Sequence, residues 1–214
     1  MSMKNVVILA GPSAVGKTTV AHKMLEGNPS YEFVRSVTTR AKRGDVFDGE
    51  YIYITREQFE EEIRTGGVLE YTEYAGAYYG TPLSEVNRIT SEGKIPLLIL
   101  DMIGVKSVAT HKDGINTCGI YIWDELDVMK ERLAARYTPD EQHKLTARVA
   151  QNDKDYEVFV DYVDSFYSVI KSTGVVENTA KEVESIVSAF LNGVEKNAEE
   201  NARIAAFLKD SVGK

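Results

Sequence analysis

Residues 11–18 read Gly-Pro-Ser-Ala-Val-Gly-Lys-Thr, between a β-branched apolar run at 4–10 and a stretch in which Val20, Ala21, Met24 and Leu25 recur at helical spacing. The spacing Gly-x4-Gly-Lys-Thr is that of a phosphate-binding loop. Glycines let backbone N–H groups turn inward around a polyphosphate, the lysine supplies a mobile cation, and the threonine offers a hydroxyl to Mg²⁺. The helix behind the loop adds the positive end of its dipole. The segment therefore predicts strand, phosphate loop and helix rather than a simple glycine-rich turn.

Composition limits the class of protein. With 214 residues and 43% hydrophobic content, the chain suits one α/β domain with inserted lobes. It has no apolar stretch of the roughly 18 residues that a membrane span needs and no leader pattern, so we expect a cytoplasmic protein. A net charge of −8 argues against nucleic-acid binding, which needs a basic stripe. The single cysteine, Cys118, lies in an apolar run and is expected to be a buried packing residue.

One basic segment departs from this acidic surplus. Arg35, Arg40, Lys42 and Arg43 fall within nine residues that contain no acid. The pattern predicts a local anion pocket, with a solvated basic loop as the open alternative. Six of the twelve tyrosines follow between residues 51 and 79, and their hydroxyls can reach a phosphate or a base.

Alternation and capping patterns predict the other elements. Strands are expected at 32–37, 50–54, 68–74, 76–79, 95–100, 115–123 and 167–171, the last with 175–177. Thr55 opens a helix with a capping box, and Thr81 is the expected N-cap of the next, with Pro82 at its first position. A final helix is capped by residues 179–182 and runs to 193. The strand at 95–100 delivers Asp101 to its carboxyl end, where ligands of parallel sheets bind.

Three arginines lie on two further predicted helices. A helix at about 124–137 places Arg132 and Arg136 four residues apart on one face, and the helix capped by residues 138–141 carries Arg148. Together they suggest a mobile phosphate clamp. Taken singly, each is also compatible with an ordinary surface arginine.

With these pieces in order, the chain resembles the guanylate kinase family over about residues 4–193. The matching stretches are GPSAVGKTT at 11–19, SVTTRAKRGD at 36–45, DGEYIYI at 48–54, LEYTEYAGAYYGTP at 69–82 and DMIGVKSV at 101–108. The resemblance implies a single α/β domain: a P-loop kinase core with a parallel sheet flanked by helices, an inserted mixed-β nucleotide-monophosphate lobe and a helical lid. The core would be 1–34 and 83–193, the lobe about 35–82, the lid about 137–150, and a C-terminal helical extension 194–214.

The resemblance also implies an activity and its residues. It implies transfer of the γ-phosphoryl group of ATP to GMP, and to dGMP, with Mg²⁺ held through Thr18. The implied ATP-binding residues are Gly11, Pro12, Ser13, Ala14, Val15, Gly16, Lys17, Thr18 and Thr19. The implied catalytic residues are Lys17, Arg40, Arg132, Arg136 and Arg148. Those implied for the GMP phosphate are Arg40, Arg43, Tyr51 and Tyr79, and for guanine or its surroundings Ser36, Glu70, Thr81 and Asp101.

Some positions depart from the family pattern. Ala14 stands where the family usually has glycine, which is tolerable if the backbone there does not need positive φ. Ile99 and Ile103 replace an acid and a glutamine, which removes two polar partners near the acceptor. The extension 194–214 has an apolar face suited to its own core or to a dimer contact, so a monomer or a homodimer is expected.

Two other functions share this core. A ribose-bisphosphate kinase is one, and the presence of Glu70 favours GMP over it. A noncatalytic module that binds a phosphorylated peptide through Arg40 and Tyr79 is the other, and Lys17 and Thr18 argue against it.

Overall fold

The computed structural model describes residues 4–42, 51–74, 76–111 and 115–212. Two β-sheets organise them. The core sheet has five parallel strands in the order β2, β7, β1, β8, β9, and the lobe sheet has four strands in the order β4, β3, β6, β5. In chain order the strands are β1 (Lys4–Ala10), β2 (Tyr31–Phe33), β3 (Ser36–Thr38), β4 (Tyr51–Tyr53), β5 (Val68–Tyr74), β6 (Ala77–Pro82), β7 (Ile95–Ile99), β8 (Ile115–Trp123) and β9 (Ser168–Lys171).

Helices cover the core sheet and one side of the lobe. They are α1 (Lys17–Gly27), α2 (Arg56–Thr65), α3 (Leu83–Ser91), α4 (Met102–Ala109), α5 (Leu126–Ala134), α6 (Gln142–Val158), α7 (Val176–Leu191) and α8 (Ala198–Ser211). None of the helices in these ranges is long and apolar enough to cross a membrane.

The centre of the core sheet follows from its sequence. All five residues from Val6 to Ala10 in β1 are fully buried. A continuous apolar run of this kind is what a parallel strand needs when helices cover both of its faces. Cys118 lies in the neighbouring β8 and is fully buried, as predicted, and burial raises the pKa of its thiol to about 12.

The lobe sheet is a mixed sheet inserted between β2 and α3. Strand β3 runs parallel to β4 and antiparallel to β6, which pairs antiparallel with β5. Helix α2 begins at the predicted capping box, in which Thr55 and Gln58 bond each other's backbone N–H groups. Its Phe59 is fully buried against the sheet. The predicted class, a parallel α/β core with an inserted mixed-β lobe, is confirmed.

Three predicted elements were wrong in detail. The strand expected at 32–37 is two strands in different sheets, because the chain crosses from core to lobe at Val34 and Arg35. Residues 175–177 form the start of α7 rather than a strand. Residues 179–182 lie inside α7, where the Thr179 hydroxyl is within hydrogen-bond distance of the Thr173 hydroxyl, so they do not cap it.

Two helix boundaries also differ from expectation. Strand β6 continues through Pro82, and Pro82 is the N-cap of α3, so the prediction that Thr81 caps this helix was wrong. Helix α5 ends at Ala134, which places Arg136 in the following turn instead of on a shared helix face with Arg132.

The C-terminal helix α8 packs against the protein's own core. Its Asn201, Ala205 and Leu208 are buried, and the last two belong to the main apolar cluster. Asn201 donates to the backbone carbonyls of Phe166 and Tyr167 at 3.4 and 3.2 Å. This is the packing expected for the apolar face of the extension.

Candidate active site

The phosphate loop joins β1 to α1 and depends on unusual backbone angles. Gly11 has φ 141°, and a Cβ there would lie 2.1 Å from the carbonyl oxygen of Ile122 in β8. Gly16, the N-cap of α1, has φ 107°. Only glycine adopts these conformations without strain. Within the loop, Pro12 and Val15 are buried, whereas Ser13 and the residues from Gly16 to Thr19 line a cavity above it.

Ala14 takes a backbone conformation that alanine disfavours. Its φ is 66°, the only positive value for a non-glycine residue in the described ranges. The condition under which alanine would fit here without strain is therefore not met. A non-glycine residue in the left-handed region costs on the order of 1 kcal/mol.

Lys17 is held against the loop itself. Its Nζ donates to the carbonyl oxygens of Gly11 and Pro12 at 2.7 and 2.8 Å. The pKa of Lys17 is lowered to about 8, mainly by burial; Asp155 opposes this shift, and Arg136 and Arg148 contribute to it. The ammonium group therefore lies at the wall of the cavity above the loop, where it can pair with a polyanion.

The phosphate cavity above the loop has a volume of about 330 Å³. Arg136 and Arg148 line it together with the loop residues, so two of the three predicted clamp arginines are brought to the phosphate site. Arg132 is placed differently. It forms an ion pair with the buried Asp124 at 3.0 Å and lies 3.5 Å from the Ala14 carbonyl oxygen, outside the cavity wall.

Helix α6 supplies two residues that the sequence analysis missed. Asn152 is 2% exposed and bonds the backbone of Ser13 at both its N–H and its carbonyl. Asp155 lies near Lys17, and burial raises the pKa of its carboxyl group. Asn152 and Asp155 lie four and seven residues after Arg148, so all three share one face of α6. This spacing is the one signal in the sequence that could have identified them.

A second cavity of about 310 Å³ lies between the lobe sheet and α4. Five residues predicted for the acceptor line it: Ser36, Tyr51, Glu70, Tyr79 and Asp101. We call it the lobe cavity. Ile99 and Ile103 also line it, and Ile103 is 62% exposed, so part of the cavity wall is apolar.

Glu70 and Thr81 form a bonded pair at the lobe cavity. The Thr81 hydroxyl donates to Glu70 Oε1 at 2.6 Å, and Thr81 is 2% exposed. Burial raises the pKa of the Glu70 carboxyl group, with a smaller contribution from Asp101. The pair follows from the register of β5 and β6, in which Glu70 lies opposite Thr81. Thr81 therefore orients the carboxylate instead of capping a helix.

Basic side chains lie over the tyrosine rings of β4, of which Tyr51 lines the lobe cavity. The Arg40 guanidinium lies 5.2 Å from the Tyr51 ring centre and donates to the Tyr53 hydroxyl at 3.0 Å. Lys42 lies over the Tyr53 ring at 5.3 Å. Tyr51 and Tyr79 face each other edge to face with ring centres 6.1 Å apart. Arg43, also predicted for the acceptor phosphate, lies outside the described residues.

Arg35 does not join this basic group. It pairs with Glu85 of α3 through two hydrogen bonds of 2.9 and 3.1 Å. Its inclusion in the predicted anion pocket was wrong, because a carboxylate that lies 50 positions further along the chain neutralises it.

A cleft of about 860 Å³ runs between the phosphate loop, α4 and α6. Lys17, Arg148, Asp155 and Asp101 line it, and Asp101 also borders the lobe cavity. Asp101 caps α4, since its Oδ1 accepts from the Gly104 N–H at 2.7 Å. The cleft therefore connects the phosphate cavity to the lobe cavity. Lys17 of the loop and Arg148 of α6 place two cations on its walls.

This fold and this loop define a P-loop nucleotide-binding protein of the α/β class, with a second cavity on an inserted lobe. The family model "Guanylate kinase" matches residues 3–190. The guanylate kinase of Lactococcus lactis is 35% identical over 187 residues, 86% of each chain. That of Enterococcus faecalis is 37% identical over 161 residues, 73% of this chain and 76% of its own. The chain belongs to the guanylate kinase family.

A solved structure agrees with the fold. The crystal structure of guanylate kinase from Anaplasma phagocytophilum matches with a TM-score of 0.56 and 22% identity, over 100% of this chain and 88% of its own.

Proposed function

We propose that this protein is a guanylate kinase that transfers the γ-phosphoryl group of ATP to GMP, and to dGMP, giving ADP and the nucleoside diphosphate. Family membership supports the reaction class. The observation that carries the acceptor is the Glu70–Thr81 pair in the lobe cavity, connected by the cleft to the phosphate loop. We assign ATP to the loop side and GMP to the lobe side.

The chemistry of Glu70 suits guanine. A carboxylate is an acceptor only, and guanine offers two adjacent donors, the N1–H and the exocyclic amine. Adenine presents an acceptor at the corresponding ring nitrogen. Thr81 donates to one carboxylate oxygen, which fixes the orientation of the group, while Ser36 on the cavity wall can donate to the guanine O6. A negative carboxylate also disfavours an acceptor with a second phosphate, such as ribose bisphosphate.

Phosphoryl transfer needs positioning and charge neutralisation rather than a protein nucleophile. On this proposal, Lys17, Arg136 and Arg148 stabilise the equatorial oxygens of the transferring group, and Arg40, Arg43, Tyr51 and Tyr79 hold the acceptor phosphate. Closure of the α6 region over the cleft would exclude water and strengthen each of these interactions. Arg132 would act from behind the loop, through its position at Ala14 and Asp124.

Thr18 would hold Mg²⁺ together with phosphate oxygens of ATP. It lies exposed in the first turn of α1 on the wall of the phosphate cavity, and a hydroxyl oxygen is the hard ligand that Mg²⁺ prefers. The described residues contain no group of three acidic, histidine or cysteine side chains suited to a metal. When bound, the ion would neutralise charge on the phosphates.

A coupled assay of ADP release tests the proposal. GMP, dGMP, AMP, UMP, dTMP and ribose 1,5-bisphosphate are each supplied as acceptor with Mg²⁺ and ATP. We expect turnover with GMP and dGMP far above that with the other acceptors. Turnover with ribose bisphosphate alone, or binding of ATP without transfer to any acceptor, would contradict the proposed function.

We further propose that the enzyme acts in the cytoplasm, as a monomer or homodimer, without nucleic acid or membrane.

A further inference from the structure

Helix α6 has an exposed half and an anchored half, and Asn152 marks the boundary. No residue from 142 to 150 is buried, whereas Asn152, Tyr156 and Phe159 are 2%, 1% and 0% exposed. Arg148 lies in the exposed half, one helical turn before Asn152. Asn152 is the first buried residue that follows it on the helix.

Asn152 is fixed to the phosphate loop at two points. Its Nδ2 donates to the Ser13 carbonyl oxygen at 3.0 Å, and its Oδ1 accepts from the Ser13 N–H at 2.8 Å. Two bonds between the same two residues set both the distance and the rotation of the helix against the loop. One turn later, the Tyr156 hydroxyl accepts from the Asp124 N–H at 3.1 Å and so provides a second anchor.

The face that Asn152 shares with its neighbours is directed at the phosphate site. Arg148, at i−4, lines both the phosphate cavity and the cleft, and Asp155, at i+3, lines the cleft beside Lys17. Rotation of α6 about its axis would move all three side chains together, since residues at this spacing share one face. The bonds to Ser13 oppose that rotation.

We propose that Asn152 is a positioning residue for phosphoryl transfer, which holds Arg148 in register with the phosphate loop through its two bonds to Ser13. This inference rests on the proposed kinase function. Asn152 itself lines neither the phosphate cavity nor the cleft.

A double-mutant cycle tests this role. Asn152→Ala, Arg148→Ala and the double variant are compared with the wild type for kcat and for the KM of each substrate. Since a displacement of about 1 Å can cost about 100-fold in rate, we expect Asn152→Ala to lower kcat by about tenfold or more when Arg148 is present. With Arg148 already removed, the same change should lower kcat by less than about twofold. The KM for GMP should not change.

Asn201→Ala is the matched control. Asn201 is also buried on a helix, at 5% exposure, and bonds two backbone carbonyls far along the chain from the phosphate loop. We expect it to lower the unfolding temperature without lowering kcat at temperatures well below that transition. Where Asn152→Ala does not fold, the isosteric Asn152→Asp, which keeps the bond from the Ser13 N–H, is measured in the same cycle.

If Asn152→Ala lowered kcat by the same factor with Arg148 present and with Arg148→Ala, or lowered it in neither case, the inference would be overturned. A wild type that does not phosphorylate GMP would instead refute the proposed function. In that case the cycle is measured by calorimetry on ATP affinity: coupling between the two positions would still support Asn152 as the positioning residue, and additivity would overturn it.

Discussion

Ala14 is a single residue whose backbone conformation conflicts with its side chain. Its φ of 66° carries a strain of about 1 kcal/mol, which glycine would relieve. Glycine also loses more entropy on folding, by about 0.5–1 kcal/mol, so the two effects partly cancel. We expect Ala14→Gly to leave the free energy of unfolding unchanged or to raise it by up to about 1 kcal/mol, as measured by urea denaturation.

The exposed Ala206 inside α8 gives the comparison for Ala14, since its replacement by glycine should lower the free energy of unfolding by about 1 kcal/mol. Equal losses at the two positions would mean that Ala14 is unstrained.

Lys17 should make ATP binding sensitive to alkaline pH. Burial lowers its pKa to about 8 in the free protein, so the ammonium is present below that pH and is lost as the pH rises through it. ATP binds best to the charged form, so its affinity should decline above about pH 8 and stay level below it. Calorimetric titration with ATP and Mg²⁺ from pH 6.5 to 9.5 measures this directly.

Lys17→Arg serves as the control for this pH profile, because the guanidinium stays charged throughout the range. Its affinity is expected to be weaker but flat with pH. A wild-type profile without the alkaline decline would show that the lysine is not desolvated.

Local patterns predicted the phosphate loop well and missed residues whose partners lie far away in sequence. Gly11, Gly16 and Lys17 act through the loop that contains them, so their spacing alone identifies it. Asn152 could not be found in that way, since its partner Ser13 lies 139 positions earlier. Thr81 followed by proline looks like a helix start, but the register of β5 and β6 gives its hydroxyl to Glu70.

At the scale of elements, the lobe is connected to the core by two chain crossings, at the end of β2 and at the start of α3. Arg35 on the first crossing and Glu85 on the second are joined by two hydrogen bonds. Hydrogen bonds from Arg35 and Arg88 hold the pKa of the Glu85 carboxyl group at about 2, although its burial opposes this. The pair therefore fixes the two crossings to each other.

Breaking this pair should affect the acceptor and spare the donor. We expect Arg35→Ala to raise the KM for GMP several-fold, because the lobe carries the cavity that we propose for GMP, and to leave ATP affinity unchanged. Arg64→Ala, which removes a similar two-bond pair with Glu61 on the exposed face of α2, should change neither. Steady-state kinetics and ATP calorimetry measure both quantities. If Arg35→Ala changed the KM for GMP and the affinity for ATP equally, the Arg35–Glu85 pair would not act through the orientation of the lobe.

Element prediction failed at a change of sheet. The alternation of apolar and polar residues breaks at Phe33-Val34 and Arg35-Ser36, where the chain crosses from β2 in the core to β3 in the lobe, and the single predicted strand passes over that break. Periodicity records burial on a face and carries no information about which sheet provides it. The single run at β1, and the run at β8, were predicted correctly because each lies wholly inside one sheet.

At the scale of the whole molecule, the extension after α7 completes the core. Leu208 is 1% exposed in the main apolar cluster, and α8 packs on α6, β9 and the turns before β9. We expect Leu208→Ala to lower the free energy of unfolding by about 2–5 kcal/mol, because it leaves a cavity. Every predicted site residue lies upstream, so truncation after Gly193 should lower stability or alter association more than turnover.

Thermal unfolding, together with GMP turnover measured well below the transition, separates the two effects of truncation. A truncated protein that stays folded and equally associated but no longer phosphorylates GMP would contradict this expectation.

The whole account depends on guanine selection by Glu70, and one ratio measures it: kcat/KM for GMP over that for AMP, in the wild type, in Glu70→Gln and in Glu73→Gln. A site built on hydrogen bonds discriminates by about 10⁴ or more, whereas an apolar pocket reaches about 10². We predict a ratio of about 10⁴ or more for the wild type and for Glu73→Gln, which alters an exposed carboxylate on the same strand. For Glu70→Gln we predict a fall of at least about 100-fold, since an amide presents a donor to the two donors of guanine. An unchanged ratio in Glu70→Gln, or a wild type without preference for GMP, would contradict the account.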